Sequence, residues 1–225
     1  MPTILGANTL SSGGFQVDNS VRFNGVDSPA LKRDSMGTAS NRKKFTLSMW
    51  MKRSTIDQRM FASFDGANSY FQFQSGGQLE INDVPGSSFN YRFVTNAVYK
   101  DVTAWMHVVV AFDSTQSTNT NRLKLFVNGV EPSLGTATYP DQNFTPDANS
   151  TGSHKYGSYD DSADYAFNGY FAEIVFIDGT AYAPTDFGEF DEDSGIWKPI
   201  DPSGLTFGTN GHYLDFKASG NLGND

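Results

Sequence analysis

The sequence predicts an all-β fold, a single antiparallel two-sheet β-sandwich, on three observations. Aromatic residues suited to pleated, half-buried surfaces are abundant, with 19 Phe, 10 Tyr and 3 Trp. The 22 Gly and 9 Pro cut the chain into short pieces. Runs of strand character recur between them, each bounded by Gly, Asn, Asp, Ser or Pro. Ten or more such strands on short links pack as two sheets, and 225 residues suffice for one core of that kind.

The predicted strands are 20–23, 45–52, 59–64, 70–74, 78–82, 91–94, 105–113, 122–127, 169–177 and 211–216. Alternation is clearest at 122–127, where Leu123, Leu125 and Val127 share one face and Arg122 and Lys124 the other. The run 105–113 is apolar on both faces, as expected of a central strand held between its own core and a second layer. The polar, aperiodic segment 114–121 joins these two strands as a hairpin. Asn128-Gly129 supplies the positive φ of a tight turn after the second.

The segment 141–164 is rich in Asp, Asn, Ser, Thr, Gly and Tyr without an apolar period, and is expected to be a long surface loop of the kind that carries function. Helix is scarce. A single turn is expected at 184–188, with Pro184 near its start and Asp186 placed to suit the dipole. Residues 1–14 are expected to form an extended arm, 15–220 the sandwich, and 221–225 the start of a linker.

A formal charge of −9 repels nucleic acid, and the one basic run, Arg42-Lys43-Lys44, suits a solvated turn before a strand. No cysteine is present, which excludes disulfide frameworks, thiolate metal sites and cysteine nucleophiles. Residues 1–14 lack the charged and apolar regions of a signal peptide. The longest apolar run, 106–112, falls well short of the ~20 residues that cross a bilayer, so no membrane insertion is expected.

Catalytic sets are missing. His107, His154 and His212 have no metal-binding spacing, and no Gly-x-Ser-x-Gly elbow occurs. Sugar hydrolysis needs two facing carboxylates, whereas Glu173 and Asp178 lie five apart on one strand and point to opposite faces. The cluster Glu189, Asp191, Glu192 and Asp193 is read as a solvated acidic loop. Calcium is the one cofactor the residues suggest, with Asp160, Asp161 and Asp164 as candidate ligands in the long loop. The same loop offers Tyr156, Tyr159 and Tyr165 as stacking platforms for a sugar and Asn149 as a hydrogen-bonding amide.

Several segments together resemble the laminin-G-like, concanavalin-A-like jelly-roll family. They are 45–53 (FTLSMWMKR), 104–110 (AWMHVVV), 122–129 (RLKLFVNG) and 168–179 (NGYFAEIVFIDG), similar in order to that family's aromatic, W-x-H-V, K-x-Y-V-N-G and closing strands. The later segments 184–190 (PTDFGEF), 195–199 (GIWKP) and 208–216 (GTNGHYLDF) resemble a branch found in structural proteins of tailed bacteriophages.

The resemblance implies a jelly roll on the outer surface of a phage particle. Its role would be that of a tail-fibre or receptor-binding component contacting host-surface glycan, or alternatively of a capsid decoration or head fibre whose partners are other virion proteins. Fibres are commonly trimers, but no residue here specifies three-fold packing. The family's glucanases carry Glu, Asp and Glu at alternate positions of one strand. No such strand occurs here, so hydrolysis is not carried over. Many members hold calcium through loop aspartates, which no acidic residue here clearly matches.

Overall fold

A computed structural model describes residues 14–27, 29–57, 59–65, 68–158, 165–218 and 220–223. In chain order its strands are Val21–Asn24 (β1), Leu31–Arg33 (β2), Lys44–Arg53 (β3), Arg59–Phe64 (β4), Ser69–Phe73 (β5), Gln78–Asp83 (β6), Tyr91–Val98 (β7) and Met106–Asp113 (β8). They continue with Leu123–Val127 (β9), Leu134–Thr138 (β10), His154–Tyr156 (β11), Asn168–Asp178 (β12), Gly188–Phe190 (β13), Trp197–Pro199 (β14) and His212–Leu214 (β15). One sheet runs β1-β12-β3-β8-β9, with β15 also on β12, and the other runs β10-β7-β6-β5-β4-β11-β2. No helix among the described residues is long and apolar enough to cross a membrane.

The core lies between the two sheets because alternate side chains from each point inward. Phe45 stacks on Phe112 and Phe176, with ring centroids 5.1 and 5.8 Å away. Phe64 of the facing sheet reaches Phe176 at 6.3 Å. Each such ring, fully buried, stabilises the fold by roughly 1.5–3 kcal/mol.

The outer face of the six-stranded sheet is also apolar, for the reason the double-sided run 105–113 suggests. Val109, Val175 and Ile177 are buried there beneath Phe187, Leu205, Phe207 and Tyr213 of the C-terminal segment. The hairpin β13–β14 brings Trp197 onto Trp50 and Ala172. The 3-10 turn Pro184–Asp186 starts this layer, and the Asp186 carboxylate accepts the Ala183 N–H at 2.9 Å.

Two expectations change, and a third gains detail. The segment 141–164 is not a surface loop throughout, since Ala148, Asn149 and Ser150 are buried and β11 fills the gap between β4 and β2. A three-residue strand is too short to show a period, which is why it reads as loop. The acidic run near 189–193, read as a solvated loop, lies largely exposed at the turn of a hairpin, where Asp191 accepts the Ser194 N–H at 2.9 Å and Lys198 bridges Glu189 and Asp191. The strand β10, absent from the expected set, pairs with β7 at the sheet edge. The expected arm lies outside the described residues over 1–13.

A β-bulge interrupts β12, with the register shifting between Ala172 and Val175 and Glu173 at φ 49°. It lets one strand pair with β1 along its first half and β15 along its second.

Candidate functional site

Among the described residues, the predicted ligand residues Asn149, Tyr156 and Tyr165 do not form one exposed surface. Tyr156 is buried and its hydroxyl meets His212 Nε2 at 2.8 Å. Asn149 is fully buried, its amide donating to Asn41 O at 3.1 Å, Lys44 O at 3.0 Å and Asp178 Oδ1 at 3.0 Å. Neither is the surface contact expected, because the polar atoms of both are committed inside the fold, although Tyr156 also borders a cavity. Tyr165 is exposed, at φ 61°. Tyr159, Asp160, Asp161 and Asp164 lie outside the described residues. Among the described residues no group of three or more His, Asp or Glu has the geometry of a metal site.

A different surface combines aromatic faces with polar groups, at the end of the six-stranded sheet that the C-terminal layer leaves open. Arg22 pairs across the sheet with Tyr170, and Tyr170 with Lys52. Met51 pairs with Met106, so Trp105 follows opposite Lys52. All four side chains point outward, since Val21, Phe23, Met51 and Phe171 on the alternate positions belong to the core.

The result is a straight cross-strand row, Arg22, Tyr170, Lys52 and Trp105, in which two rings alternate with two cations. Trp105 and Tyr170 keep 37% and 36% of their surface exposed, and their centroids lie 6.5 Å apart. The Arg22 guanidinium sits 5.2 Å above the Tyr170 ring while donating to Asn168 Oδ1 at 2.8 Å, which fixes the tyrosine from one side. On the other side, Lys52 adds its charge to the Thr103 hydrogen bonds that hold the Asp101 carboxyl below its usual range.

Beside this row lies a cleft of about 290 Å³, lined by Trp50, Trp105, Ala172, Pro199 and the segment 17–20. Its volume approaches the low end of small-ligand sites. Asp18, Asn19 and Ser20 place a carboxylate, an amide and a hydroxyl on one wall. Trp50 is held rigid beneath: it stacks on His107 at 4.7 Å, and His107 stacks in turn on Trp197 at 6.1 Å.

Burial pushes the His107 imidazole down to about 3, so it is neutral. Indole N–H can only donate, so Nδ1 accepts from Trp197 at 3.0 Å and Nε2 carries the proton towards Ser48 Oγ at 2.8 Å.

Comparison with known proteins gives the lineage. The family model for the concanavalin A-like lectin/glucanases superfamily matches residues 23–183, most of the chain. The chain belongs to this superfamily. Among solved structures, this superfamily member is similar to a native heptameric SAP-like pentraxin from Limulus polyphemus, at 14% identity and TM-score 0.53, over 72% of this chain and 77% of that one. It is also similar to a candidate carbohydrate binding protein from Bacteroides ovatus, at 13% identity and TM-score 0.55, over 83% of this chain and 50% of that one. A third likeness is to the NanB sialidase of Streptococcus pneumoniae, at 14% identity and TM-score 0.53, over 81% of this chain and 29% of that one. The superfamily member thus spans half the length of the Bacteroides protein and less of the sialidase. No curated protein matches it in sequence.

Sequence reasoning missed Trp50, Trp105, Tyr170 and Arg22 as site residues. The signal was present in the parity of the strands, because Arg22, Lys52 and Tyr170 alternate with core residues and so had to face outward together.

Proposed function

We propose that this domain binds carbohydrate without cleaving it, through the outer-face cleft and its aromatic row, and that it serves on the outside of a bacteriophage particle as a tail-fibre or receptor-binding component recognising host-surface glycan. The observation that carries the reading is the exposed pair Trp105 and Tyr170 beside a cleft floored by Trp50. A pyranose ring presents C–H groups on its faces and hydroxyls at its edge. Aromatic planes cover the first, and Asp18, Asn19, Ser20 and Lys52 are placed to hydrogen-bond the second.

Hydrolysis by the usual route needs two carboxylates across the scissile bond, and Asp18 is the one carboxylate among the described lining residues. The virion setting draws its support from the resemblance of 184–190, 195–199 and 208–216 to phage structural proteins. One structural relative is itself named for carbohydrate binding, which accords with the reading.

The test is an array of bacterial surface polysaccharides probed with the protein and with Trp105→Ala. Retention of selected glycans by the first and loss by the second is expected, along with inhibition of phage adsorption by the free domain. An array without hits, or hits unchanged by Trp105→Ala and Tyr170→Ala, overturns the proposal.

A further inference from the structure

A second cavity lies on the opposite side of the six-stranded sheet from the aromatic row, between the edges of the two sheets. The pairing of β2 with β11 sets Arg33 opposite His154 and Leu31 opposite Tyr156. Directly opposed residues of an antiparallel pair share a face. Here it is the inner face, since Tyr156 belongs to the core and Leu31 packs against it. Strand β15 of the other sheet contributes His212 and Leu214, and the space between these edges is a cavity of about 290 Å³.

The lining has two chemical halves. Leu31 and Leu214 present aliphatic surface. Tyr156 and His212 satisfy one another, as the 2.8 Å contact between hydroxyl and Nε2 shows. His154 is different. It is 2% exposed, wedged edge-on between Phe64 at 4.9 Å and Phe176 at 4.5 Å, and neither ring nitrogen completes a hydrogen bond, although the Ala148 backbone lies near. A buried polar group in that condition costs about 1–3 kcal/mol, and native structures keep few of them without a reason. The neutral imidazole always retains one N–H to donate. Arg33, its cross-strand neighbour, is exposed and makes no ion pair with a described carboxylate.

We propose that this cavity is a binding site for a small monocarboxylate with a compact apolar body, the carboxylate meeting Arg33 while the body lies between Leu31 and Leu214 against the His154 ring. A neutral ligand leaves the guanidinium unpaired, and an inorganic oxyanion leaves the leucines without contact. An apolar acid answers both halves. The site is separate from the outer-face cleft, so it stands or falls independently of glycan binding.

The probe is benzoate, with benzamide as its uncharged counterpart, each titrated into the intact protein while histidine ring and leucine methyl NMR signals are followed. Benzoate is expected to give saturable shifts at His154 and Leu214 and to bind about tenfold more tightly than benzamide, the difference a charge-assisted hydrogen bond supplies. Arg33→Gln, at an exposed edge position and so compatible with folding, is expected to remove most of that difference. Non-saturating shifts, equal binding of the two probes, or benzoate affinity unchanged in Arg33→Gln each overturns the proposal.

Discussion

The indole N–H of Trp197 donates to Nδ1 of His107 at 3.0 Å, fastening the C-terminal hairpin to the six-stranded sheet through a residue 90 positions earlier. Because His107 is fully buried, that acceptor has no water to turn to when the indole is removed. Trp197→Phe keeps an aromatic ring and removes the donor. It is expected to cost about 1–3 kcal/mol in urea unfolding, and an unchanged midpoint would contradict the assignment. Nitrogen chemical shifts in the unaltered protein should report the Nε2–H tautomer.

Acid should weaken the fold through its buried imidazoles. Burial pushes His107 down to about 3 and drives His154 well below the ordinary value, with the charges of His212 and Arg33 adding to the effect on His154. Where a base is held below its unfolded value of about 6.5, the unfolded chain takes the proton first. Stability is therefore full above that pH and is lost progressively as pH falls below it. His154→Phe removes one contributor, and its unfolding midpoint should fall less between pH 7 and 5 than that of the unaltered protein. Parallel losses would count against this account.

Asp147 acts in the opposite sense. Burial first, and then repulsion from Asp83 and Asp65, raise its carboxyl to about 6. An acid raised above its unfolded value contributes stability below that value and loses it as pH climbs through the folded one. Asp147→Asn is expected to be more stable than the parent at pH 7.5 and to match it near pH 4. A variant less stable at both would refute the assignment.

Ligand affinity and stability should separate at the aromatic row. Trp105→Ala and Tyr170→Ala change half-exposed side chains, so each is expected to leave stability within about 0.5–1 kcal/mol of the parent. Each should weaken glycan binding about tenfold or more, a size typical of aromatic anchors. Trp50→Ala, beneath them and 9% exposed, should lose about 3–5 kcal/mol of stability as well. Calorimetric titration beside thermal unfolding reads both quantities.

The Asp178 carboxylate gathers three parts of the chain. It accepts the Ser40 N–H at 2.6 Å, the Asn149 amide at 3.0 Å and the Asn210 N–H at 3.2 Å. Burial alone would raise its carboxyl, but these hydrogen bonds outweigh it and hold the group below its usual range. Asp178→Ala strands the donors and is expected to cost about 3 kcal/mol or more, with amide exchange accelerated at Ser40 and Asn210. Slow exchange there would argue against the network.

How far the sequence reached depended on whether a signal was periodic. Leu123, Leu125 and Val127 alternate cleanly with Arg122 and Lys124, and the strand lies where that pattern puts it. The double-sided run at 105–113 announced a covering layer, which Phe187, Leu205 and Phe207 supply. By contrast, β11 is held by its two neighbours rather than by its own pattern, so His154 and Tyr156 looked like loop residues. The candidate cleft was hidden for a related reason. Arg22, Tyr170 and Lys52 come from three separate strands and Trp105 immediately precedes a fourth, and only cross-strand register aligns them. Asn149 misled because an amide in a polar segment looks the same whether it serves solvent or three acceptors of the fold itself.

The C-terminal covering layer also reaches beyond the stretch that the superfamily shares. The superfamily match ends at residue 183, but Phe187, Trp197, Leu205 and Phe207 come after it and shield Val109, Val175, Ile177 and Trp50. A polypeptide severed at that boundary would bare a greasy, flat sheet surface to water and self-associate through it. The buried core therefore draws on residues some thirty positions past the matched stretch, as far as Phe216.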